Sequence, residues 1–249
     1  MRIPANSCAN WPVRWQKTDM CGRYFLAEEQ NERLLKLLAG MDGNPLAGMV
    51  QLGEVFPTQM APVIVNENGK AKVRPMKWGF PFGSGGKVVI NSRSEKSDYT
   101  PMFQKAVRER RCLIPVSGYY EWRRTASGAK TKDKFSIVSK GGQEKGMMYL
   151  AGVWGEFQGG FANGGFDAFA VLTRDADEQI RPYHNRMPVV IDSENLKKLW
   201  LFAPPEMPYQ ELRRQFEFPE LYVDAVEPKP APRQLDMMDD GFADLQPQE

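Results

Sequence analysis

The sequence predicts a single α+β domain with a curved, mainly antiparallel, barrel-like β core flanked by short helices. Many short runs rich in β-branched and aromatic residues are separated by turn signals such as Asn68-Gly69 and the glycines at 83–86. This spacing favours hairpins over repeated crossover units. The chain has 249 residues, 42% of them hydrophobic, which is enough to bury one sizeable core.

Helical periodicity is confined to a few short stretches. It is clearest at residues 28–38, where leucines recur at core spacing, and it returns at 101–111 and 193–201. Further turns are expected at Gly141-Gly142 and Gly164-Gly165. The predicted strands occupy residues 62–66, 72–78, 88–91, 113–122, 135–139, 148–157, 166–173 and 187–191. Strands therefore dominate the middle of the chain, as an α+β arrangement requires.

The composition divides the chain into three segments. We expect residues 1–19 to be an extension that is absent from the working protein, residues 20–228 to form the catalytic domain, and residues 229–249 to be a loosely ordered acidic, proline-rich tail. No apolar run approaches the ~20 residues that a membrane helix needs, and no secretory signal opens the chain. These features predict a cytoplasmic protein with no membrane partner, associated with the nucleoid when bound to DNA. We expect it to be a monomer.

Charge and cysteine content exclude several classes of protein. The 33 basic and 31 acidic residues leave a formal charge of +2, so any nucleic-acid binding has to come from a local patch. The three cysteines, Cys8, Cys21 and Cys112, have neither disulfide nor metal spacing, which suits a reducing compartment and predicts no metal or cofactor. Cys21 is the candidate nucleophile, whereas Cys112 stands in an apolar run and is expected to pack in the core.

Three polar residues are candidates for assisting Cys21. His184, the one histidine of the chain, stands in a polar turn that leads into a strand, a common place for catalytic side chains. Glu121 stands in an aromatic strand, where burial would suit its carboxyl for proton transfer. Asn91 ends an apolar run that opens into a polar turn. A surface histidine, an outward-facing glutamate and an ordinary turn asparagine are the alternatives.

Three arginines each stand two residues beyond one of the candidate reactive positions. Arg23, Arg93 and Arg186 would ring the site with positive charge suited to phosphate oxygens if those positions converge. Ordinary surface charge is their alternative interpretation. Trp78 offers a ring on which a nucleic-acid base can stack, and packing in the core is its alternative.

In combination, these segments resemble the SRAP family, the SOS response-associated peptidases that include bacterial and human sensors of abasic sites in single-stranded DNA. The resemblance covers residues 20–201 in the family's order, and so many ordered motifs exclude chance similarity. The matching runs are Met-Cys-Gly-Arg-Tyr at 20–24, Pro-Thr-Gln at 57–59, Trp-Gly-Phe at 78–80, Asn-Ser-Arg-Ser-Glu at 91–95, Cys-Leu-Ile-Pro at 112–115, Gly-Tyr-Tyr-Glu-Trp at 118–122 and His-Asn-Arg-Met-Pro at 184–188.

The resemblance implies the SRAP fold and an abasic-site sensor with peptidase and lyase-like activity. Its nucleophile would be Cys21, exposed as the N-terminal residue by removal of Met20, which forms a covalent thiazolidine crosslink with an abasic site in single-stranded DNA. By the same resemblance, Asn91 orients the amine or aldehyde, Glu121 transfers protons and His184 assists sugar ring opening. The implied DNA-binding residues are Arg23, Pro57, Trp78, Arg93 and Arg186.

The sequence departs from the family's pattern in the residues that precede Met20. If residues 1–19 stay attached, the nitrogen of Cys21 is an amide and a thiazolidine cannot form. Either translation begins at Met20, which we favour because residues 1–19 carry no targeting signature, or the extension is removed autocatalytically.

Three rival functions stay open at this point. An N-terminal-nucleophile amidohydrolase, such as a glutamine amidotransferase, can also begin Met-Cys-Gly. A conventional thiol peptidase would use Cys21, His184 and Asn91 as nucleophile, base and orienting group. A noncatalytic single-strand-binding module is the third, although the near-neutral charge of the chain disfavours it.

Overall fold

The computed structural model describes residues 22–27, 32–83, 85–124, 132–161 and 164–227. Cys21, the expected extension at 1–19 and the expected tail at 229–249 lie outside the described residues. The strands are β1 (Tyr24–Leu26), β2 (Gly53–Val55), β3 (Met60–Glu67), β4 (Lys70–Trp78), β5 (Phe80–Pro81), β6 (Val88–Val89), β7 (Asn91–Arg93), β8 (Arg111–Val116), β9 (Gly118–Arg124), β10 (Lys132–Ser139), β11 (Met148–Phe161), β12 (Gly164–Asp175), β13 (Arg186–Pro188) and β14 (Leu221–Ala225). The helices are α1 (Glu32–Ala39), α2 (Pro101–Gln104), α3 (Ala106–Glu109), α4 (Lys140–Lys145), α5 (Glu194–Phe202) and α6 (Tyr209–Arg214), with a 3₁₀ turn at Ala47–Met49.

Five strands close into a barrel in the order β11, β8, β3, β4 and β12, with β12 returning to β11. Four of the five pairings are antiparallel and the β4–β12 pairing is parallel. Closure removes the exposed edges that an open sheet would leave. The predicted α+β domain with a curved, mainly antiparallel, barrel-like core is therefore confirmed.

A second antiparallel sheet, in the order β14, β10, β9, β1 and β2, covers one side of the barrel. Its inner face carries Tyr24, Tyr119 and Ile137, which are fully buried in one apolar cluster with the barrel residues Trp78 and Ile114. Because opposed residues of antiparallel strands share a face, this cluster fixes which side chains of the second sheet point towards the barrel.

The chain passes from the barrel to the second sheet at Ser117, where the sequence predicts an unbroken strand over 113–122. That prediction is wrong, since Ser117 separates β8 from β9 and is bonded to β1 instead. Its N–H donates to the carbonyl of Phe25 (2.8 Å), and its hydroxyl accepts from the N–H of Ala27 (2.9 Å). A Cβ on the next residue, Gly118, would lie 2.6 Å from the ring of Phe25, so only glycine allows this approach.

Other elements agree with the sequence or differ for local reasons. The Asn68-Gly69 turn joins β3 to β4, as expected. The helix predicted at 193–201 is α5, whose first turn is capped by the hydroxyl of Ser193. The turn predicted at Gly141-Gly142 is wrong: these residues lie in α4, which Ser139 caps and a left-handed Gly146 ends. None of the described helices is long and apolar enough to cross a membrane.

Gly79 follows the last residue of β4 in a backbone conformation reserved for glycine. Its φ is +116°, and a Cβ placed there would lie 2.9 Å from the Cβ of Val88. We therefore expect Gly79→Ala to lower the free energy of unfolding by about 2–4 kcal/mol. Gly69→Ala is the matched control, because Gly69 also has a positive φ but no atom within 4 Å of the added Cβ, and we expect it to cost about 1 kcal/mol. Urea unfolding measures both, and equal losses would contradict the steric argument.

Candidate active site

The first described residues of the chain run beside the strand that carries Glu121. Tyr24 is opposite Tyr119 in the register of β1 and β9, and the N–H of Tyr120 donates to the carbonyl of Arg23 (3.0 Å). Continuing this register places Gly22 opposite Glu121. Cys21, which is bonded to Gly22, lies outside the described residues. Gly22, a described residue that precedes β1 and is bonded to Cys21, is therefore expected beside Glu121.

Glu121 faces inwards, towards the barrel, and only 3% of it is exposed. Tyr119, two residues earlier on β9, lies on the same face of the sheet. So does Phe135, which is opposite Glu121 on β10. The alternative of an outward-facing strand glutamate is therefore wrong. The outward face of β9 carries Tyr120 and Trp122 instead.

His184 ends a tight turn that is anchored by the fully buried Ile180, whose carbonyl accepts from the N–H of His184 (3.0 Å). The side chain of the preceding residue, Tyr183, packs on the ring of Phe135 with 4.6 Å between ring centroids. Because Phe135 is opposite Glu121, this contact fixes the His184 turn beside the strand of Glu121. The imidazole itself is half-buried and accepts a hydrogen bond at Nδ1 from the N–H of Arg186 (3.0 Å).

Asn91 begins β7 and is buried opposite Val171, in a parallel pairing with the barrel strand β12. The sequence predicts one strand over 88–91, but β6 and β7 are separate strands with different partners. Between them, the carbonyl of Ile90 accepts from the indole N–H of Trp78 (3.1 Å). Asn91 is therefore held by the barrel wall rather than by a surface turn.

Trp78 has no exposed surface, so it cannot stack on a nucleic-acid base and the core interpretation is correct. Its ring stacks on Phe169 at 6.2 Å and packs on Tyr24 at 4.9 Å between centroids. Its carbonyl accepts from the N–H of Thr58 (2.8 Å), next to the buried Pro57. Thr58 has a φ of 71°, an unfavourable value for a β-branched residue, of the kind found where a turn is held by its surroundings. Trp78 thus supports this turn from beneath.

Arg186 is buried in a network of ion pairs that joins two of the sequence motifs. Its guanidinium forms a two-pronged contact with Glu95 (Nη1–Oε1 2.6 Å and Nη2–Oε2 3.0 Å) and binds Asp175 (2.6 Å). Nη2 also donates to the carbonyl of Thr173 (3.0 Å), which is opposite Arg93 in the pairing of β12 with β7. A side chain that is 8% exposed and binds these partners through both Nη atoms serves to join β7, β12 and β13. Its direct contact with phosphate stays a prediction.

The other two arginines lie at accessible positions. Arg23 comes directly before β1, and its guanidinium binds Glu54 (3.1 Å) and lies over the rings of Phe56 and Trp122 at 4.2 and 5.0 Å. Glu54 also binds Lys134. Arg93 is exposed at the end of β7, and among the described carboxylates none lies within ion-pair distance of it.

Cys112 is fully buried, and burial raises the pKa of its thiol well above the ordinary value. The prediction that it packs in the core is confirmed. The thiol cannot act as a nucleophile there, since a buried thiol stays protonated.

The described motifs form a continuous chain of contacts. Tyr24 joins the first motif to Tyr119, the contact of Phe135 with Tyr183 joins the Glu121 strand to the His184 turn, and the pair of Arg186 with Glu95 joins that turn to the Asn91 strand. Of the residues that carry these contacts, sequence reasoning singled out Arg186 but missed the others. Glu95 stood in a quoted motif, but its role depends on a partner 91 residues away.

These features together define a class: an α+β protein with a barrel and a covering sheet, in which the segments of a buried glutamate, a histidine turn and a buried asparagine are linked by contacts between neighbouring residues. The chain belongs to the SRAP family, because the model of that family, "SOS response associated peptidase (SRAP)", matches residues 20–229. The resemblance deduced from the sequence is thus confirmed.

Relatives with similar sequences bear the name abasic site processing protein. Abasic site processing protein YoqW of Bacillus subtilis is 27% identical over 187 residues, which cover 73% of this chain and 80% of YoqW. Abasic site processing protein YedK of Escherichia coli is 25% identical over 185 residues, which cover 73% of this chain and 79% of YedK. A crystal structure of a protein from Bacteroides thetaiotaomicron matches the fold with a TM-score of 0.66 at 18% identity, covering 83% of this chain and 92% of that protein.

The contact of Glu95 with Arg186 predicts a pH-dependent stability. Burial raises the pKa of the Glu95 carboxyl, but the hydrogen bonds from Arg186 and its charge outweigh burial, so the pKa lies below its ordinary value. A depressed folded pKa stabilises the protein above the unfolded pKa, and this stabilisation is lost as the pH falls through the folded pKa.

We therefore expect Glu95→Gln to lower the free energy of unfolding by about 1–2 kcal/mol at pH 7, a value reduced by the partial exposure of the carboxylate. The difference should shrink below about pH 4.3. Urea unfolding of both proteins between pH 7 and 3 measures it. A difference that stays constant over this range would contradict the assignment.

Proposed function

We propose that this protein processes abasic sites in single-stranded DNA, and that it does so by forming a covalent thiazolidine with the lesion through Cys21 as the N-terminal residue. The observation that carries the proposal is the register of β1 and β9, which leads the chain from Tyr24 back towards Cys21 along the buried Glu121. Membership of the SRAP family and the names of YoqW and YedK support the substrate.

The chemistry requires both nucleophiles of an N-terminal cysteine. The opened sugar of an abasic site presents an aldehyde, the α-amine adds to its carbonyl carbon, and loss of one water gives an imine. The thiol sulfur then adds to the same carbon while its proton moves to the nitrogen, which closes a five-membered ring. The α-amine and the thiol have ordinary pKa values near 7.7–8.0 and 8.5, so both are available near neutral pH. The second attack is intramolecular and gains the corresponding entropic advantage.

The described side chains suit the proton transfers. Glu121 lies where the chain approaches from Cys21, and its carboxyl takes the proton released by the attacking amine. When Nδ1 of His184 accepts from the N–H of Arg186, the ring proton is on Nε2. Nε2–H can therefore donate to the ring oxygen of the sugar as it opens. The buried amide of Asn91 orients the amine or the aldehyde.

The two accessible arginines, Arg93 and Arg23, are the candidates for contact with DNA phosphates. Arg93 is exposed beside Asn91 and is the stronger candidate, since its guanidinium is not committed to a described carboxylate. Arg23 can take a phosphate only in competition with Glu54. Contacts to the backbone suit a lesion that has no base to read. Peptidase action, as autocatalytic removal of the residues before Cys21, and lyase-like reversal are further parts of this proposal.

The geometry disfavours the conventional thiol peptidase. In such an enzyme, the orienting group accepts a hydrogen bond from the second ring nitrogen of the catalytic histidine. Here, Nδ1 of His184 is bonded to the backbone of Arg186, two residues along its own turn. Asn91 is therefore not the orienting group of a Cys-His-Asn triad through that nitrogen.

A denaturing gel tests the covalent step. Protein beginning at Cys21, mixed with single-stranded DNA that contains one abasic site, should give a shifted band that survives denaturation. Cys21→Ala should abolish the band. Cys112→Ala is the matched control and should retain it, because that thiol is buried. A band that persists in Cys21→Ala would contradict the proposal, and a band absent from the unmodified protein would leave a noncatalytic module as the better account.

The free α-amine gives a separate prediction. A chain that keeps residues 1–20, verified by intact mass, should form no crosslink, and the same preparation cut to expose Cys21 should form one. The two samples share every described residue, so the amine alone distinguishes them. Equal crosslinking by the uncut chain would show that the thiol acts without the amine.

A further inference from the structure

Glu95 connects the strand of Asn91 to the turn of His184 through one arginine. We propose that Glu95 is a positioning residue that, by holding Arg186, keeps the imidazole of His184 in the tautomer that has its proton on Nε2. This inference rests on the proposed function, because it concerns the group that would protonate the sugar of an abasic site.

Glu95 holds the side chain of Arg186 through two hydrogen bonds. Both carboxylate oxygens bind the guanidinium, at 2.6 and 3.0 Å, and a two-pronged contact of this kind fixes orientation as well as distance. The carbonyl of Thr173 accepts from the same Nη2 (3.0 Å) and also from the N–H of Ser94 (2.8 Å). The turn after β7 and the start of β13 are thereby tied to one point of β12.

The backbone of Arg186 contacts the imidazole of His184. Its N–H donates to Nδ1 of His184 at 3.0 Å, and its carbonyl oxygen also lies 3.0 Å from Nδ1. A backbone N–H always carries its hydrogen, so this bond requires the lone pair of Nδ1 and leaves the proton on Nε2. In the other tautomer, Nδ1–H would donate to this carbonyl, and the bond from the N–H of Arg186 would be lost. The position of Arg186 relative to the ring therefore decides which tautomer is favoured.

The two carboxylates that bind Arg186, those of Glu95 and Asp175, differ in position and in exposure. Asp175 is opposite Arg186 within the β12–β13 pairing, is 87% exposed and binds through a single oxygen. Glu95 comes from a different segment, the turn after β7, and its side chain is 34% exposed. Asp175 therefore adds charge to a pairing that the backbone already makes, whereas Glu95 adds the link between the two site segments. Asp175→Asn is the matched control.

The chain contains one histidine, so a long-range ¹H–¹⁵N correlation spectrum of untagged protein reports the tautomer of His184 alone. At a pH where the ring is neutral, the unmodified protein and Asp175→Asn should show a bare Nδ1 and a protonated Nε2. Glu95→Gln should shift both nitrogens towards the averaged values of exchanging tautomers. Crosslinking to abasic single-stranded DNA should slow about tenfold in Glu95→Gln and less than about threefold in Asp175→Asn.

The spectrum separates the two proposals. An unchanged His184 spectrum in folded Glu95→Gln overturns the positioning role, whatever the crosslinking rate. If the spectra behave as expected but the unmodified protein forms no crosslink, the proposed function fails and the positioning role stands. Should Glu95→Gln not fold, Glu95→Asp decides: its carboxylate keeps the charge but is one methylene too short for the two-pronged contact. An unshifted spectrum in Glu95→Asp overturns the inference, and a shifted one supports it.

Discussion

The burial of Trp78 between the barrel and the covering sheet is the constraint on which the site depends. Its ring contacts Tyr24 on one side and Phe169 on the other, and its indole N–H reaches the carbonyl of Ile90. An aromatic ring of this size contributes several kcal/mol of burial and also sets contact geometry. Through these contacts, one residue fixes β1, the Thr58 turn and the start of β7 relative to each other. The described start of the chain at β1 and the start of β7 at Asn91 are therefore positioned by packing against the same side chain.

The second constraint is electrostatic and acts at Arg186. Arg186 is buried, so its charge requires compensation, and Glu95, Asp175 and Thr173 supply it. Removing a partner from such a network costs more than the contact is worth, because the remaining charge stays buried. This makes the network suitable for holding a catalytic turn in one conformation. The same residue then presents its backbone to His184, which connects charge compensation to the tautomer of the imidazole.

Much of the fold and the site could be predicted from the sequence, and the failures have physical causes. Long strands with clear turn signals, such as β3 and β4, were predictable because their patterns are local. The break at Ser117 was not, since it depends on bonds to Phe25 and Ala27, far away along the chain. The candidate site residues were recognisable as motifs, but burial decides their roles. The sequence does not show whether a given arginine or tryptophan faces solvent or the interior. Arg186 and Trp78 both face the interior.

In the proposed reaction, the amine and the thiol of one cysteine react with the same carbon of an abasic site. Tandem mass spectrometry of the crosslinked protein, digested and treated with amine-labelling and thiol-alkylating reagents, tests this most directly. We expect an adduct on the peptide that begins with Cys21, with the mass of the sugar remnant less one water and with both the α-amine and the thiol protected. An adduct on a lysine, or a Cys21 thiol that still alkylates, would contradict it.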